Sequence, residues 1–228
     1  MNSLFLRRPL LTLAAAVFAS ASWAQAVRLD FGTDNSPLRQ GFTRVTHATE
    51  FKDGATAGWV KPQGLVSKDQ PLDAEWKLNP SSGRTLPPII YTTDIRRDHV
   101  GGDGPATLRL RLPNGKARLW LLCSSGPGSP SQVWDLTVAC GGASETATFH
   151  GQWSVRAIEM PAEVKNGLLD ITFTTRSRWA VCALVAATEA QWPVEKKGII
   201  AKIEQETFLL PDEILKTWEH RPYVEKTP

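Results

Sequence analysis

The chain has 228 residues, of which 42% are hydrophobic and 21% charged, and its formal net charge is +3. Arg7 and Arg8 lie in an N-terminal leader, and removing them lowers the net charge to +1. The densest basic clusters are only pairs, at 96–97 and 196–197. This composition excludes the basic patch of a nucleic-acid-binding protein and predicts no nucleic-acid partner.

Residues 1–26 have the three parts of a secretory signal peptide. Arg7 and Arg8 are followed by an apolar stretch from Leu10 to Ala21, and small residues then offer cleavage after Ala24 or Ala26. The apolar stretch is shorter than the about 20 residues needed to span a bilayer. We therefore expect a secreted or periplasmic protein with no membrane contact after cleavage.

Alternating apolar residues predict a series of strands along the mature chain. Residues 108–112 alternate leucine with arginine, and the pair Asn114-Gly115 is a strong hairpin signal. The next strand, 117–123, is apolar on both faces, which predicts a central place in a sheet. Further strands are predicted at the following ranges: 134–140, 146–149, 153–158, 168–174 and 179–186.

Turn signals separate these strands every 8–15 residues, and no amphipathic helix lies between them. This spacing is typical of an all-β sandwich, which we place at residues 27–190. Residues 51–88 are rich in glycine and proline and predict long loops, where binding residues often lie. Residues 191–228 are predicted to be a C-terminal extension or linker with a short helix at 211–218.

Several short motifs resemble one known family. They are Leu29-Asp30-Phe31-Gly32, Gly41-Phe42-Thr43-Arg44-Val45-Thr46, Gly58-Trp59, Arg97-Asp98-His99-Val100 and the strand beginning at Trp179. Together they resemble the galactose-binding-like module, similar to malectin and carbohydrate-binding modules, that precedes the catalytic part of bacterial rhamnogalacturonan acetylesterases.

The resemblance covers about 27–187 and implies a jelly-roll β-sandwich that binds a polysaccharide or oligosaccharide. It also implies a following catalytic domain or partner protein. Two departures concern cysteines: Cys123-Ser124-Ser125 stands where relatives tend to have Gly-Asp, and Cys182 where they tend to have Asn.

Aromatic and polar residues of the loops are the candidate ligand contacts. Indole rings stack on the apolar faces of sugars, and we expect Trp59 and Trp76, in the irregular region, to be such platforms. Trp120 and Trp179 lie within predicted strands and are expected in the core. Asp98 and His99 are the predicted polar contacts to sugar hydroxyl groups.

The three cysteines lie in a chain that we expect to be exported, where disulfides persist. Their spacing matches no zinc pattern, so no metal ligands are assigned to them. Cys123 and Cys182 are predicted to lie on neighbouring strands and to form a disulfide. A structural calcium ion held by Asp98, Asp103 and loop carbonyls is a further hypothesis, although no EF-hand pattern is present.

No catalytic residue is assigned. The sequence contains no Gly-x-Ser-x-Gly motif, and the carboxylates at 94 and 98 alternate with arginines, which favours local ion pairing over acid–base chemistry. The predicted function is a secreted, non-catalytic carbohydrate-binding module that assists polysaccharide recognition or degradation. Two alternatives remain: a structural or protein-interaction sandwich without a glycan site, and the N-terminal piece of a larger polysaccharide-active enzyme.

Overall fold

The computed structural model describes residues 26–69, 77–78, 85–86, 94–124, 133–150 and 155–208. These residues form two large β-sheets that face each other, a two-stranded ribbon, and a helical segment packed on one sheet. The predicted signal peptide, apart from its last residue, and the predicted helix at 211–218 lie outside the described residues. Within the described part, no helix is long and apolar enough to cross a membrane.

Fourteen strands are described. In chain order they are β1 (Val27–Phe31), β2 (Thr43–Val45), β3 (Ala57–Trp59), β4 (Leu65–Asp69), β5 (Lys77–Leu78), β6 (Thr85–Leu86), β7 (Asp98–Gly102), β8 (Ala106–Arg111), β9 (Gly115–Ser124), β10 (Val133–Cys140), β11 (Ala143–His150), β12 (Val155–Val164), β13 (Leu168–Thr175) and β14 (Trp179–Thr188).

The first sheet runs in the order β12-β9-β14, and then two strands share the remaining edge of β14. β1 pairs with residues 183–186 of β14 and carries β2, whereas β7 pairs with residues 179–181 and carries β4. The second sheet has the order β11-β10-β13-β8-β3. From β8 to β14 the chain changes sheet at almost every connection, as in a jelly roll, and the predicted all-β sandwich is confirmed.

The main core lies between the sheets, where alternate residues of each strand face inward. Leu108 and Leu110 of β8 meet Leu119 and Leu121 of β9 in this layer. β9 lies between β12 and β14, so the predicted central strand is confirmed. Its other face is also buried, because a second apolar cluster covers the outer side of the first sheet.

This cover is the C-terminal helical segment, residues 192–208. It consists of α2 (Trp192–Glu195), a π-helical turn (Lys196–Ile200) and α3 (Ala201–Phe208), whereas α1 (Asp94–Arg97) directly precedes β7. Trp192, Ile200 and Ile203 are buried against the outer faces of β9 and β14. A helical extension after the strands is therefore confirmed, but the described helices lie at 192–208, where the sequence predicts none, and are packed on the sandwich.

Ion pairs attach the C-terminal helical segment to the strands beneath it. Arg28 donates two hydrogen bonds to Glu195, at 2.9 and 2.7 Å, and Arg39 similarly contacts Glu206. The Trp120 Nε1–H donates to Glu204 Oε1 at 2.8 Å. Apolar burial and paired charges thus hold the segment on the first sheet.

Candidate functional site

Trp59 lies in the core and not in an exposed loop. It is 0% exposed, and its Nε1–H donates to the Thr46 carbonyl at 3.0 Å. Its ring packs near Phe31, Phe173 and Trp179, with centroids 5.9–6.0 Å away. The prediction of a sugar-stacking platform at Trp59 is wrong, because β3 pairs with β8 and turns the indole into the sandwich. Trp120 and Trp179 are buried, as predicted.

The predicted Cys123–Cys182 disulfide is also wrong. Cys123 belongs to the core between the sheets, whereas Cys182 belongs to the apolar cluster on the outer face of the same sheet. The strands are neighbours, but the register between β9 and β14 shifts between Val181 and Ala183. Two cysteines on opposite faces of a sheet cannot bring their sulfurs together. All three cysteines are buried thiols, and burial raises the pKa of Cys123 to about 12.

Asp98 is the centre of a buried polar group, which we call the seam cluster: Asp30, Gly32, Ser36, Arg44 and Asp98. It fills the place where β1 and β7 separate along the edge of β14. Asp98 is 0% exposed, and its Oδ2 accepts a bond from Arg44 Nη1 at 3.3 Å. A side chain at position 32 would collide with Asp98 Oδ2, so this packing requires glycine there.

Arg44 joins the seam cluster to the turn after β1. Its guanidinium donates to the carbonyls of Thr33 and Ser36, at 2.7 and 2.6 Å. Asp30 Oδ2 accepts from the Arg39 backbone N–H at 2.8 Å. Asp98 is therefore a structural residue, and its predicted contact to a sugar is wrong because its carboxylate is fully buried.

Burial raises the pKa of Asp98 to about 7, and the nearby carboxylates of Asp30 and Asp69 act in the same direction. A hydrogen bond from Ser36 and the charge of Arg44 act in the opposite direction. The raised value shows that desolvation and repulsion outweigh the single ion pair.

His99, one residue further along β7, faces the opposite side of the sheet and lines a groove of about 210 Å³. We call it the His99 groove; its lining residues are Val66, Lys68, His99, Gly101, Gly102, Asp103, Arg178, Trp179 and Ala180. One row of paired residues, Ala180, Gly101 and Val66, crosses β14, β7 and β4. This row forms a floor of small side chains.

Charged side chains stand at both ends of that floor. Lys68 pairs in register with His99 on one side, and Arg178 Nε donates to Asp103 Oδ1 at 3.1 Å on the other. No other residue type fits at Gly101, because a Cβ atom there would collide with the Trp179 carbonyl oxygen. The groove therefore has a flat base between two polar walls.

The imidazole of His99 is the most buried polar group in the groove, at 5% exposure. Burial, together with the charge of Lys68, lowers its pKa to about 4. Among the described residues no group forms a hydrogen bond with the ring. A neutral imidazole offers one N–H donor and one acceptor, which is the pattern that binds a hydroxyl group.

Two predictions remain, one for Trp76 and one for a calcium ion. Trp76 lies outside the described residues. Asp98 belongs to the seam cluster, whereas Asp103 pairs with Arg178 at the rim of the His99 groove. Within the described ranges, no group of three or more His, Cys, Asp or Glu side chains has the arrangement of a metal site. The calcium hypothesis thus stays a prediction.

Sequence reasoning identifies His99 but misses its neighbours in the groove. Lys68, Gly101 and Ala180 come from three strands that are distant in sequence, and only the pairing of β4, β7 and β14 unites them. A signal is available in part: Gly101 and Gly102 interrupt a strand, which is typical of a site where another group approaches the backbone closely.

A second, more open depression lies at the opposite end of the sandwich. It is lined by turn residues, namely Gly141, Gly142, Glu163, Lys165, Leu168, Leu169 and Asp170. Its charged groups are already used: Lys165 lies 3.3 Å from Glu163, and Asp170 pairs with Arg109. Although this depression is larger, its charged side chains are exposed, whereas the His99 groove has a nearly buried imidazole and is the better candidate.

No protein-family model matches the chain, and no curated protein matches it. Solved structures do match. The protein YxiM from Bacillus subtilis has 16% identity and a TM-score of 0.48 over 72% of this chain and 40% of its own. A Bacteroides uniformis β-glucuronidase has 11% identity and a TM-score of 0.46, over 72% of this chain and 18% of its own.

A smaller structure, TmCBM61 in complex with β-1,4-galactotriose, has 16% identity and a TM-score of 0.30, over 58% of this chain and 87% of its own. The chain thus spans less than half the length of the first two proteins. Likenesses this weak carry no argument about function, and the fold rests on the sheet topology described above.

Proposed function

We propose that this protein is a secreted, non-catalytic carbohydrate-binding module and that its site is the His99 groove. The observation that carries the proposal is the neutral, nearly buried imidazole of His99, which has no hydrogen-bond partner among the described residues and lines an open groove. The ring nitrogens are therefore available to a ligand hydroxyl, and a net gain of about 0.5–1.5 kcal/mol is typical for one such hydrogen bond.

The other groove residues fit a polyhydroxylated ligand. Lys68 and the Arg178–Asp103 pair provide charged donors and an acceptor at the walls, and the small floor lets a ring approach the sheet. Trp76, which the sequence predicts as a stacking platform, remains a proposed contact. The resemblance in the signature motifs supports carbohydrate as the ligand class and polysaccharide recognition or degradation as the setting.

The residues of the motifs that carry the resemblance have a structural role in this protein. Asp30, Gly32, Arg44 and Asp98 all come from those motifs and meet in the buried seam cluster. They hold β1, β2 and β7 together without contact to the groove. The resemblance therefore supports the fold, and the proposed binding rests on the groove.

Titration calorimetry tests the proposal. The purified protein is titrated with intact and partially hydrolysed pectin, xylan, mannan and glucan, with calcium and with chelator. We expect one glycan class to bind, and His99→Ala to weaken that binding at least tenfold. His47→Ala is the matched control, because His47 is an exposed histidine that contacts Ser67 and does not line the groove.

Trp76→Ala belongs to the same series and tests the predicted stacking contact. Absence of binding to all four glycan classes by a folded protein would overturn the proposal and favour a structural or protein-interaction domain. An equal loss in the His99 and His47 variants would contradict the assignment of the groove.

A further inference from the structure

The dimensions of the His99 groove limit the number of sugar rings that can bind in it. His99 on β7 and Asp103 in the bend directly after it are four residues apart, so their Cα atoms are separated by at most roughly 14 Å. Across the sheet, the floor from β14 to β4 covers two strand spacings, or roughly 10 Å. The side chains of the walls reduce this footprint further.

A pyranose ring spans roughly 6 Å between opposite hydroxyl oxygens, given single-bond lengths of about 1.5 Å. One ring fits between the walls, whereas two linked rings need about twice that length. The groove volume of about 210 Å³ agrees, since it is below the roughly 300–1,000 Å³ of pockets that hold drug-sized ligands.

The groove is also closed on the side of β14. Its floor row continues onto β9 with Ser124 and onto β12 with Val155. Both residues are buried, and Val155 belongs to the apolar cluster that contacts the C-terminal helical segment. A sugar chain therefore has no open path across the sheet in that direction.

Charged side chains flank the floor along the strand direction. His99 and Lys68 stand at one end, and the Arg178–Asp103 ion pair, whose side chains are 53% and 75% exposed, stands at the other. The remaining side is β4, which in the described sheet pairs only with β7. Val66, on β4, is 49% exposed and marks this open side.

We propose that the His99 groove binds a single sugar residue at a chain end, and does not bind an internal run of a polysaccharide. This inference rests on the proposed carbohydrate-binding function. A short groove that is flanked by charged side chains and opens over β4 admits a terminal ring and leaves the rest of the chain outside β4, whereas an internal run would have to pass the flanking side chains at both ends.

Chain-length dependence separates the two binding modes. Calorimetry compares each monosaccharide with its trisaccharide and hexasaccharide, using galacturonic acid, xylose, mannose and glucose series. We expect the monosaccharide and the hexasaccharide of the bound series to have dissociation constants within about threefold of each other. A tenfold or greater gain from monosaccharide to trisaccharide would overturn chain-end binding while leaving carbohydrate binding intact.

End-blocked ligands give a second, independent result. We compare hexasaccharides that are reduced at one end or substituted at the other. Blocking one particular end should abolish binding, and blocking the other should leave it unchanged. If both blocked forms bind like the parent, chain-end recognition is overturned. If no sugar of any length binds, the proposed function itself fails.

A variant that narrows the open side locates the site. Val66→Phe should weaken monosaccharide binding at least tenfold, because the larger ring occupies the entrance. Val133→Phe is the matched control, since Val133 is a valine of similar exposure, 57%, on the second sheet. Equal effects of the two substitutions would overturn the placement of the sugar residue in this groove.

Discussion

The outer faces of the two sheets differ in polarity and in whether another element covers them. On the first sheet, Trp120, Leu122 and Val185 face outward and are covered by the C-terminal helical segment. On the second sheet, the outward residues are mostly threonines and charged residues, such as the pair Thr137 and Thr146. A sheet face therefore either receives an apolar cover or is polar enough to meet water.

Each outer face carries an ion pair in which one arginine donates two hydrogen bonds to one carboxylate. Arg28 and Glu195 make two bonds of 2.7–2.9 Å beneath the helical segment, and Arg109 and Asp170 make two of 2.6–2.8 Å on the second sheet. The geometry is the same, but the Glu195 side chain is far less exposed than that of Asp170. Burial therefore separates the two pairs.

The largest effect is expected where the apolar cover meets the first sheet. Ile203→Ala removes a fully buried side chain and should lower the free energy of unfolding by about 2–5 kcal/mol. Lys202→Ala, on the neighbouring exposed position, should change it by less than about 0.5 kcal/mol. Urea unfolding measures both. Similar small changes would mean that the segment does not contribute to the fold.

The seam cluster lies inside the sandwich edge and is a third environment, in which a charge is neither exposed nor well compensated. The folded-state pKa of Asp98, about 7, is above its usual value of 3.8, so between these pH values the folded state retains a proton that the unfolded state has lost. The free energy of unfolding should thus fall as pH rises from about 4 to 7, by at most about 1.4 kcal/mol for each pH step of one.

Asp98→Asn should flatten this pH dependence, because an amide cannot ionise. The charged or titratable neighbours that remain are Asp30, Arg44 and Asp69. Urea unfolding of both proteins between pH 4 and pH 8 checks the expectation. An unchanged slope in the variant would assign the pH dependence to one of these neighbours.

The two matched ion pairs should differ by a smaller amount. A double-mutant cycle on Arg28 and Glu195 should give a coupling energy of about 1.5–3 kcal/mol, typical of buried bonds to charged groups. The same cycle on Arg109 and Asp170 should give about 0.2–1 kcal/mol, as for exposed pairs. Equal coupling energies would contradict this expectation, since they would show that burial does not determine the strength of the ion pair.

The smallest effect is expected on the open face of the second sheet. Thr146→Ala removes a 2.9 Å contact between the hydroxyls of Thr146 and Thr137, a cross-strand pair that water can replace. The loss of unfolding free energy should be about 0.2–1 kcal/mol. A loss comparable to that of Ile203→Ala would show that this face is covered in solution.

The sandwich can be predicted because its long strands follow a clear two-residue period. Leucines at 108, 110 and 112 mark β8, and the doubly apolar stretch that starts at Ala117 marks β9. The segment that covers the outer face of β9 cannot be predicted from the sequence. An apolar outer face requires a covering element, but the charged sequence of α3 does not identify α3 as that element. Its ion pairs to Arg28 and Arg39 depend on the folded chain.

The candidate site is harder to predict because it depends on which face each residue takes. The glycine-rich surroundings of Trp59 predict a loop, although three residues of pairing with β8 are enough to bury the indole. Cys182 changes face through one register shift in β14. The sequence identifies Asp98 and His99 as a pair of polar residues, but adjacent strand residues point to opposite sides.

The C-terminal position of the helical segment has a consequence for the order in which the protein is made. A ribosome synthesises Trp120, Leu122 and Val185 before Trp192, Ile200 and Ile203, which cover them. Until residues 192–208 emerge, the nascent sandwich carries an apolar face that this segment has not yet covered, a state prone to aggregation. A chain interrupted before residue 192 should therefore need a chaperone, while a chain that includes residues 192–208 should not.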